Sequence, residues 1–358
     1  MKKFVAAAIA AMMAVSLAAC SGGSASSSTT ATKAAETQAA EKLEALDTGD
    51  YEIYVPETAD KSLWPTGEVT VYVASSAGSN NDLVTRVITA ALEEKTGKKF
   101  TVINQTDGGG VTAYESARNA KKDGLTLAAN HSGVNVQYLL GQYAQNPDTE
   151  LCTVASMAAT GVNAYCTRAD APYNNLTELV QYAKDHPGEV KWGVKLGNAT
   201  HLSTVQIAQA LDLDLKYLEA GDQNDKLAGI LGGQIDIGNM TPQAAEQYIQ
   251  SGQLKILFTT APYEDYENMQ EWNGGVLQAL AGGYNFLWAT TGIDEGILNT
   301  IDRYMAEVAC DPSVQEQLIK LGNSPASIGW KACEEYIHND FESKWDAATA
   351  AGINKAAK

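Results

Sequence analysis

The sequence predicts an α/β fold built as two domains, and three observations carry that expectation. Val69, Val71 and Val73 alternate with Thr70 and Tyr72, the period of a strand. A polar turn follows, and then Leu83, Val84, Val87, Ile88, Ala91 and Leu92 recur at helical spacing. The same strand, turn and helix unit returns along a chain whose 358 residues exceed one ordinary domain of ~100–200. Alternation of this kind implies mostly parallel sheets flanked by helices, with ligands bound beyond the carboxyl ends of the strands.

Ahead of that body stands an export signal. Lys2 and Lys3 precede an uncharged stretch from Phe4 to Ala19, closed by Leu17-Ala18-Ala19-Cys20. The sixteen residues of that stretch span about 24 Å as a helix, short of the ~30 Å hydrocarbon core. Residues 1–19 therefore read as a removable signal peptide. The Leu-Ala-Ala-Cys run looks like a bacterial lipobox, which implies a lipid on Cys20. From Ser21 to about Ala40 the chain is mostly Ser, Thr, Ala and Gly, too poor in apolar surface to offset its ordering entropy. Residues 20–61 read as a tether, with the acidic run from Glu41 to Asp60 as its solvated end.

The repeating body starts past Trp64-Pro65. Ser75-Ser76-Ala77-Gly78-Ser79-Asn80-Asn81-Asp82 ends in residues that favour helix caps, and Gly97 closes the first helix. Phe100–Ile103 is the next strand, Gly108-Gly109-Gly110 its turn and Val111–Ala120 its helix. Leu125–Ala128 is a further strand, running into Asn130-His131-Ser132-Gly133. Later, Val190–Val194 leads through a Gly/Asn turn, Lys195–Thr200, to a helix over His201–Leu211 with Leu202, Val205, Ala208 and Leu211 inward. Each turn presents the unpaired first N–H groups of a helix, whose partial positive charge favours an anion by roughly 0.3–1 kcal/mol. Two such ends facing across a cleft would hold a carboxylate; the same turns also suit any globular α/β protein.

Composition narrows the partners. Lys+Arg 25 against Asp+Glu 43 leaves a formal charge of −18, or −20 once Lys2 and Lys3 are removed. A surface of that sign argues against nucleic acid and against electrostatic docking on anionic lipid. An anion site in such a protein has to be local and dipole-built. The four histidines, His131, His186, His201 and His338, form no metal-spaced motif, and no cofactor or enzyme activity is expected. No GxSxG elbow is present, and the triple glycine lacks the Lys-Ser/Thr of a nucleotide loop. Export permits disulfides among Cys152, Cys166, Cys310 and Cys333, and buried free thiols are the alternative.

Trp64-Pro65, Gly78-Ser79-Asn80-Asn81-Asp82, Asp107-Gly108-Gly109-Gly110, Asp123-Gly124-Leu125-Thr126-Leu127 and Gly197-Asn198-Ala199-Thr200-His201-Leu202 stand in an order that resembles the substrate-binding proteins of tripartite tricarboxylate transporters. Gly232-Gly233-Gln234-Ile235-Asp236, Gly252-Gln253-Leu254-Lys255 and Asp311-Pro312 continue the likeness from Trp64 to the C-terminal helices. The resemblance implies a type II periplasmic-binding-protein-like fold, domain I over residues 62–163 plus 286–358 and domain II over 164–285. It implies a lipid-anchored, extracytoplasmic monomer that captures a small carboxylate and hands it to membrane permease subunits. A sensor lipoprotein for a signalling system, or a binder of amino or aromatic acids, is the alternative. The ligand-binding residues implied are Ala77, Gly78, Ser79, Asn80, Asn81, Asn130 and His131 of one domain, and Lys195, Gly197, Asn198, Ala199, Thr200 and His201 of the other.

Three departures from the family pattern bear on the ligand. Ser79, Asn80 and Asn81 stand where the leading turn usually carries glycines and a threonine, adding side-chain hydrogen-bond groups. Lys195 stands where a glycine is usual, and Gly229 where amino-acid binders often carry an aspartate. A gained cation and a lost acid point to a di- or tricarboxylate with Lys195 as counter-ion, against a Lys195 that simply faces solvent.

Overall fold

A computed structural model describes residues 45–356 apart from Gly197 and Ala281. The signal peptide, Cys20 and the start of the tether lie outside the described residues. Within the segment read as tether, β1 (Glu52–Ile53) pairs in parallel with β12 (Ala326–Ser327).

The first lobe runs through β2 (Val69–Val73), α1 (Asn80–Thr96), β3 (Phe100–Asn104), α2 (Val111–Arg118), β4 (Thr126–Asn130), α3 (Gly133–Leu139), α4 (Pro147–Glu150) and β5 (Leu151–Ala159). The chain then enters the second lobe: β6 (Ala164–Arg168), α5 (Leu176–Asp185), β7 (Lys191–Val194), α6 (Ala199–Leu211), β8 (Lys216–Glu219), α7 (Gln223–Leu231), β9 (Gly238–Met240), α8 (Pro242–Gln250) and β10 (Leu254–Thr259). It returns as β11 (Tyr284–Thr290), followed by α9 (Glu295–Ala309), α10 (Pro312–Lys320), β12 and α11 (Trp330–Ala350).

Each lobe lends the other a strand. The first sheet has the order β3-β2-β4-β11-β5, with β11 antiparallel to both of its neighbours. In the second, β7 and β8 pair in parallel, and Trp192 of β7 bridges in parallel to Ile237 just before β9. The order β9-β6-β10 completes it, with β6 antiparallel to both neighbours. Both sheets thus read second, first, third, visitor, fourth. The parallel expectation holds by direction in each, and the exception is the strand arriving from the other lobe.

Local sequence explains the elements. Val69, Val71 and Val73 are fully buried while Thr70 and Tyr72 are half-buried, so the alternation faces a real core. Val84, Ile88 and Leu92, one helical turn apart on α1, pack onto that face. Burying each such side chain contributes roughly 1.5–3 kcal/mol. In the second lobe Tyr165 stacks on Phe258 with ring centroids 4.4 Å apart, and Trp192 meets Tyr165 edge-on at 5.6 Å. A separate apolar seam joins the lobes along one side, where Val136, Leu139 and Leu140 of α3 meet Leu202 and Val205 of α6 and Ala347 and Ala348 of α11. Trp288 is core, its indole N–H donating to the Asn130 carbonyl at 3.1 Å. The four described cysteines are free thiols; burial pushes Cys152 and Cys166 up to about 12, which leaves both poor nucleophiles.

Candidate functional site

Between the two crossing segments and α6 lies a cavity of about 160 Å³, lined by Thr160, Gly161, Asn163, Tyr165, Thr200, Ser203, Asn239, Thr260, Leu280 and Gly282. The crossing segments form one wall. Asn163 donates its N–H to Thr260 Oγ1 at 3.0 Å, and the Thr260 N–H donates to the Asn163 carbonyl at 2.9 Å. Thr160 donates its N–H to the Gly283 carbonyl at 2.8 Å. Gly161 packs so closely on the Gly322 carbonyl that a Cβ would lie 1.7 Å from its oxygen.

The opposite wall is the first turn of α6. Asn198 caps it, accepting from the Ala199 N–H at 2.6 Å. Lys195 donates its N–H to Thr200 Oγ1 at 3.1 Å, and Leu196 donates its N–H to Glu219 Oε2 at 2.9 Å, so the turn before the helix is held on both sides. Thr200 and Ser203 face the cavity one turn apart. The described lining residues are hydroxyls, amides and glycines with one leucine, and none carries a formal charge. Burial pushes the Tyr165 hydroxyl up to about 12, so it stays neutral. Neutral donors beside a helix N-terminus suit an anion that brings its own charge.

Of the residues singled out from sequence, Thr200 lines this cavity. Lys195 is exposed and outside the lining, Asn198 and Ala199 serve the α6 cap, and Gly197 lies outside the described residues. His201 sits edge-on to Tyr217 at 5.1 Å; desolvation lowers its pKa against the opposing pull of Glu219. The first lobe's turn stands at the carboxyl end of β2 and is occupied with its own bonds. Ser79 caps α1, and Gly78 donates its N–H to Asp82 Oδ2 at 2.8 Å. Asn81 donates to the Ala129 carbonyl at 3.1 Å, and Asn80 donates to the Leu321 carbonyl at 2.9 Å. Asn323 donates to Asn80 Oδ1 at 3.2 Å, which ties this turn to the loop that backs Gly161, and Ala77 is exposed within the turn. Asn130 accepts the His131 N–H at 2.9 Å, and His131 Nδ1 accepts the Gly133 N–H at 2.9 Å. Desolvation first, then the Lys344 ammonium, push the His131 imidazole down to about 4, so it is neutral at physiological pH.

Thr160, Gly161, Asn163, Tyr165, Ser203, Asn239, Thr260, Leu280 and Gly282 were not singled out from sequence. Small polar residues between two buried strands were the available signal at 160–163. Among the described residues no group of three or more His, Cys, Asp or Glu side chains is placed to hold a metal.

Two lobes that exchange strands around a polar cavity define a solute-binding receptor. The chain belongs to the tripartite tricarboxylate transporter family receptors, whose family model matches residues 84–346, and these are extracytoplasmic solute-binding proteins rather than enzymes. A UPF0065 protein of Bordetella pertussis is 26% identical over 204 residues, 56% of this chain; the chain spans 62% of that relative's length. A TctC solute-binding protein from Polaromonas has a similar fold, with TM-score 0.69 at 19% identity, covering 80% of this chain and 99% of that one. MatC from Rhodopseudomonas palustris, solved with bound malate, gives 0.59 at 21% identity over 79% and 99% of the two chains. Rpa4515 of the same organism, solved with adipate, gives 0.63 at 20% identity over 81% and 99%.

Proposed function

We propose that this receptor captures a small di- or tricarboxylate in the cavity between its lobes and delivers it to the permease subunits of a tripartite tricarboxylate transporter. The observation that carries the reading is the neutral, donor-rich lining of that cavity beside the N-terminus of α6. Its volume of about 160 Å³ is small beside the ~300–1,000 Å³ of pockets for drug-sized ligands, which favours a short acid. The malate and adipate in the two structural neighbours are acids of that size and kind.

In this reading residues 62–163 plus 286–358 and residues 164–285 are the two domains, and ligand contacts from both lobes shift the population toward a closed form. The first lobe's turn, Ala77 to Asn81, with Asn130 and His131, approaches the ligand in that form. Thr200 and its neighbours Lys195 to His201 approach it from the second. The chain acts as a monomer held by a lipid on Cys20, on the outer face of the cell membrane or the periplasmic side where two membranes exist.

Calorimetry with malate, adipate, citrate and glutamate tests the ligand. Binding of one or more of the first three, weakened by Thr200→Val, is the expected result; tight glutamate binding with those three ignored would overturn it. Labelling with a radioactive fatty acid should mark the wild-type chain and spare Cys20→Ala.

A further inference from the structure

Behind the cavity wall sits a buried ammonium that the lining alone does not reveal. Lys226, on α7, is 3% exposed, and its Nζ donates to Asn239 Oδ1 at 2.7 Å. Among the described residues no carboxylate pairs with it within 4 Å; Asp222 and Glu219 act on it only at a distance. Burial of a lone cation is costly, and here it outweighs the two acids and lowers the pKa of Lys226. The fold makes room for the stem at a glycine, since a Cβ on Gly238 would meet Lys226 Cβ at 3.0 Å.

Asn239 is the residue between this cation and the cavity. With its carboxamide oxygen engaged by the ammonium, the group it has left to offer the cavity is its NH₂ donor. An unanchored asparagine is free to turn its oxygen inward instead. The anchor therefore decides which half of the amide a ligand meets, and it sets a positive charge one residue behind a wall that has none.

We propose that Lys226 is a positioning residue that locks Asn239 as a donor and makes this cleft select a ligand with an ionised acid group at the Asn239 wall. The inference rests on the cavity being the ligand site and deepens that reading by giving its charge preference a source. It assigns the counter-charge to Lys226, whereas Lys195 is exposed and outside the lining.

The test compares adipate with its uncharged dimethyl ester by calorimetry on the full-length exported chain, with malate and citrate as further probes. Lys226→Met keeps the stem and removes the charge. It should weaken adipate by about tenfold to a hundredfold, the range for a hydrogen bond to a charged group, and the diester by much less. Lys226→Arg should restore most of the preference. Asn239→Asp, close in shape, turns the anchor into an ion pair and removes the donor, and should weaken adipate similarly without unfolding the chain. Equal losses for diacid and diester in Lys226→Met, or no loss, would overturn the role of Lys226 while Thr200→Val still weakened binding. If none of the acids bound the wild type, the ligand site reading itself would fall and this inference with it.

Discussion

Asn163 and Thr260, which lie on the two segments that carry the chain between lobes, bond to each other twice, once in each direction. The pair is part of the cavity wall, so the joint between the lobes and the cavity lining share the same residues. Thr260→Val should leave the Asn163 N–H without its acceptor and lower stability by about 1 kcal/mol. Thr260→Ser keeps the hydroxyl and should restore it. Denaturant midpoints of the three proteins measure this, and equal midpoints for Val and Ser variants would refute it.

Gly161 and Gly282 line the same cavity but differ in what stands behind them. A methyl on Gly161 runs into the Gly322 carbonyl, whereas a methyl on Gly282 meets nothing within 4 Å. Gly161→Ala should therefore cost about 1–3 kcal/mol of stability by overpacking. Gly282→Ala should stay within about 0.5 kcal/mol of wild type and instead weaken ligand binding by narrowing the cavity. Thermal melts paired with calorimetry separate the two effects.

Asp302 gives the fold a built-in pH dependence. Both its oxygens accept the Trp330 N–H at the start of α11, at 3.0 and 3.1 Å. Burial raises its pKa from the ordinary 3.8 to about 7, against the lowering effect of that bond. The native state thus holds the proton more tightly than the unfolded chain. The resulting stabilisation is full below pH 3.8 and disappears as pH rises through about 7. Asp302→Asn keeps an acceptor for Trp330 and should be the more stable protein at pH 8, by about 2–4 kcal/mol, with a flatter profile between pH 4 and 7. Parallel profiles for the two proteins in urea would contradict the assignment.

Asp82 works with the opposite sign. Burial pushes its carboxyl up, but bonds from Arg86, Gly78 and Asn104 outweigh burial and leave it below the ordinary 3.8. Its contribution is present above that value and is lost as pH falls further. Asp82→Asn should cost about 1–2 kcal/mol at pH 7, since Arg86 is half exposed and part of its attraction is screened. The deficit should shrink below pH 4, as followed by unfolding at pH 3 and pH 7.

Local information in the chain settled a great deal. The Val69, Val71, Val73 alternation, the Val84, Ile88, Leu92 spacing and the Asn198 cap each depend on neighbours within a few residues, so the strand, the helix and its start were legible in order. The polar turn that brings Thr200 to the cavity lining was legible for the same reason, since it precedes a helix-period run. Packing between distant segments decided the rest. Asn163 becomes a wall residue only because Thr260 bonds to it, and Trp192 pairs with Ile237 only because the fold lays β7 beside the segment leading into β9. Lys195 stood out in the sequence because it replaces a glycine usual in the family, whereas the burial of Lys226 depends on the space left by Gly238 on another element and stayed hidden until the fold placed the two together.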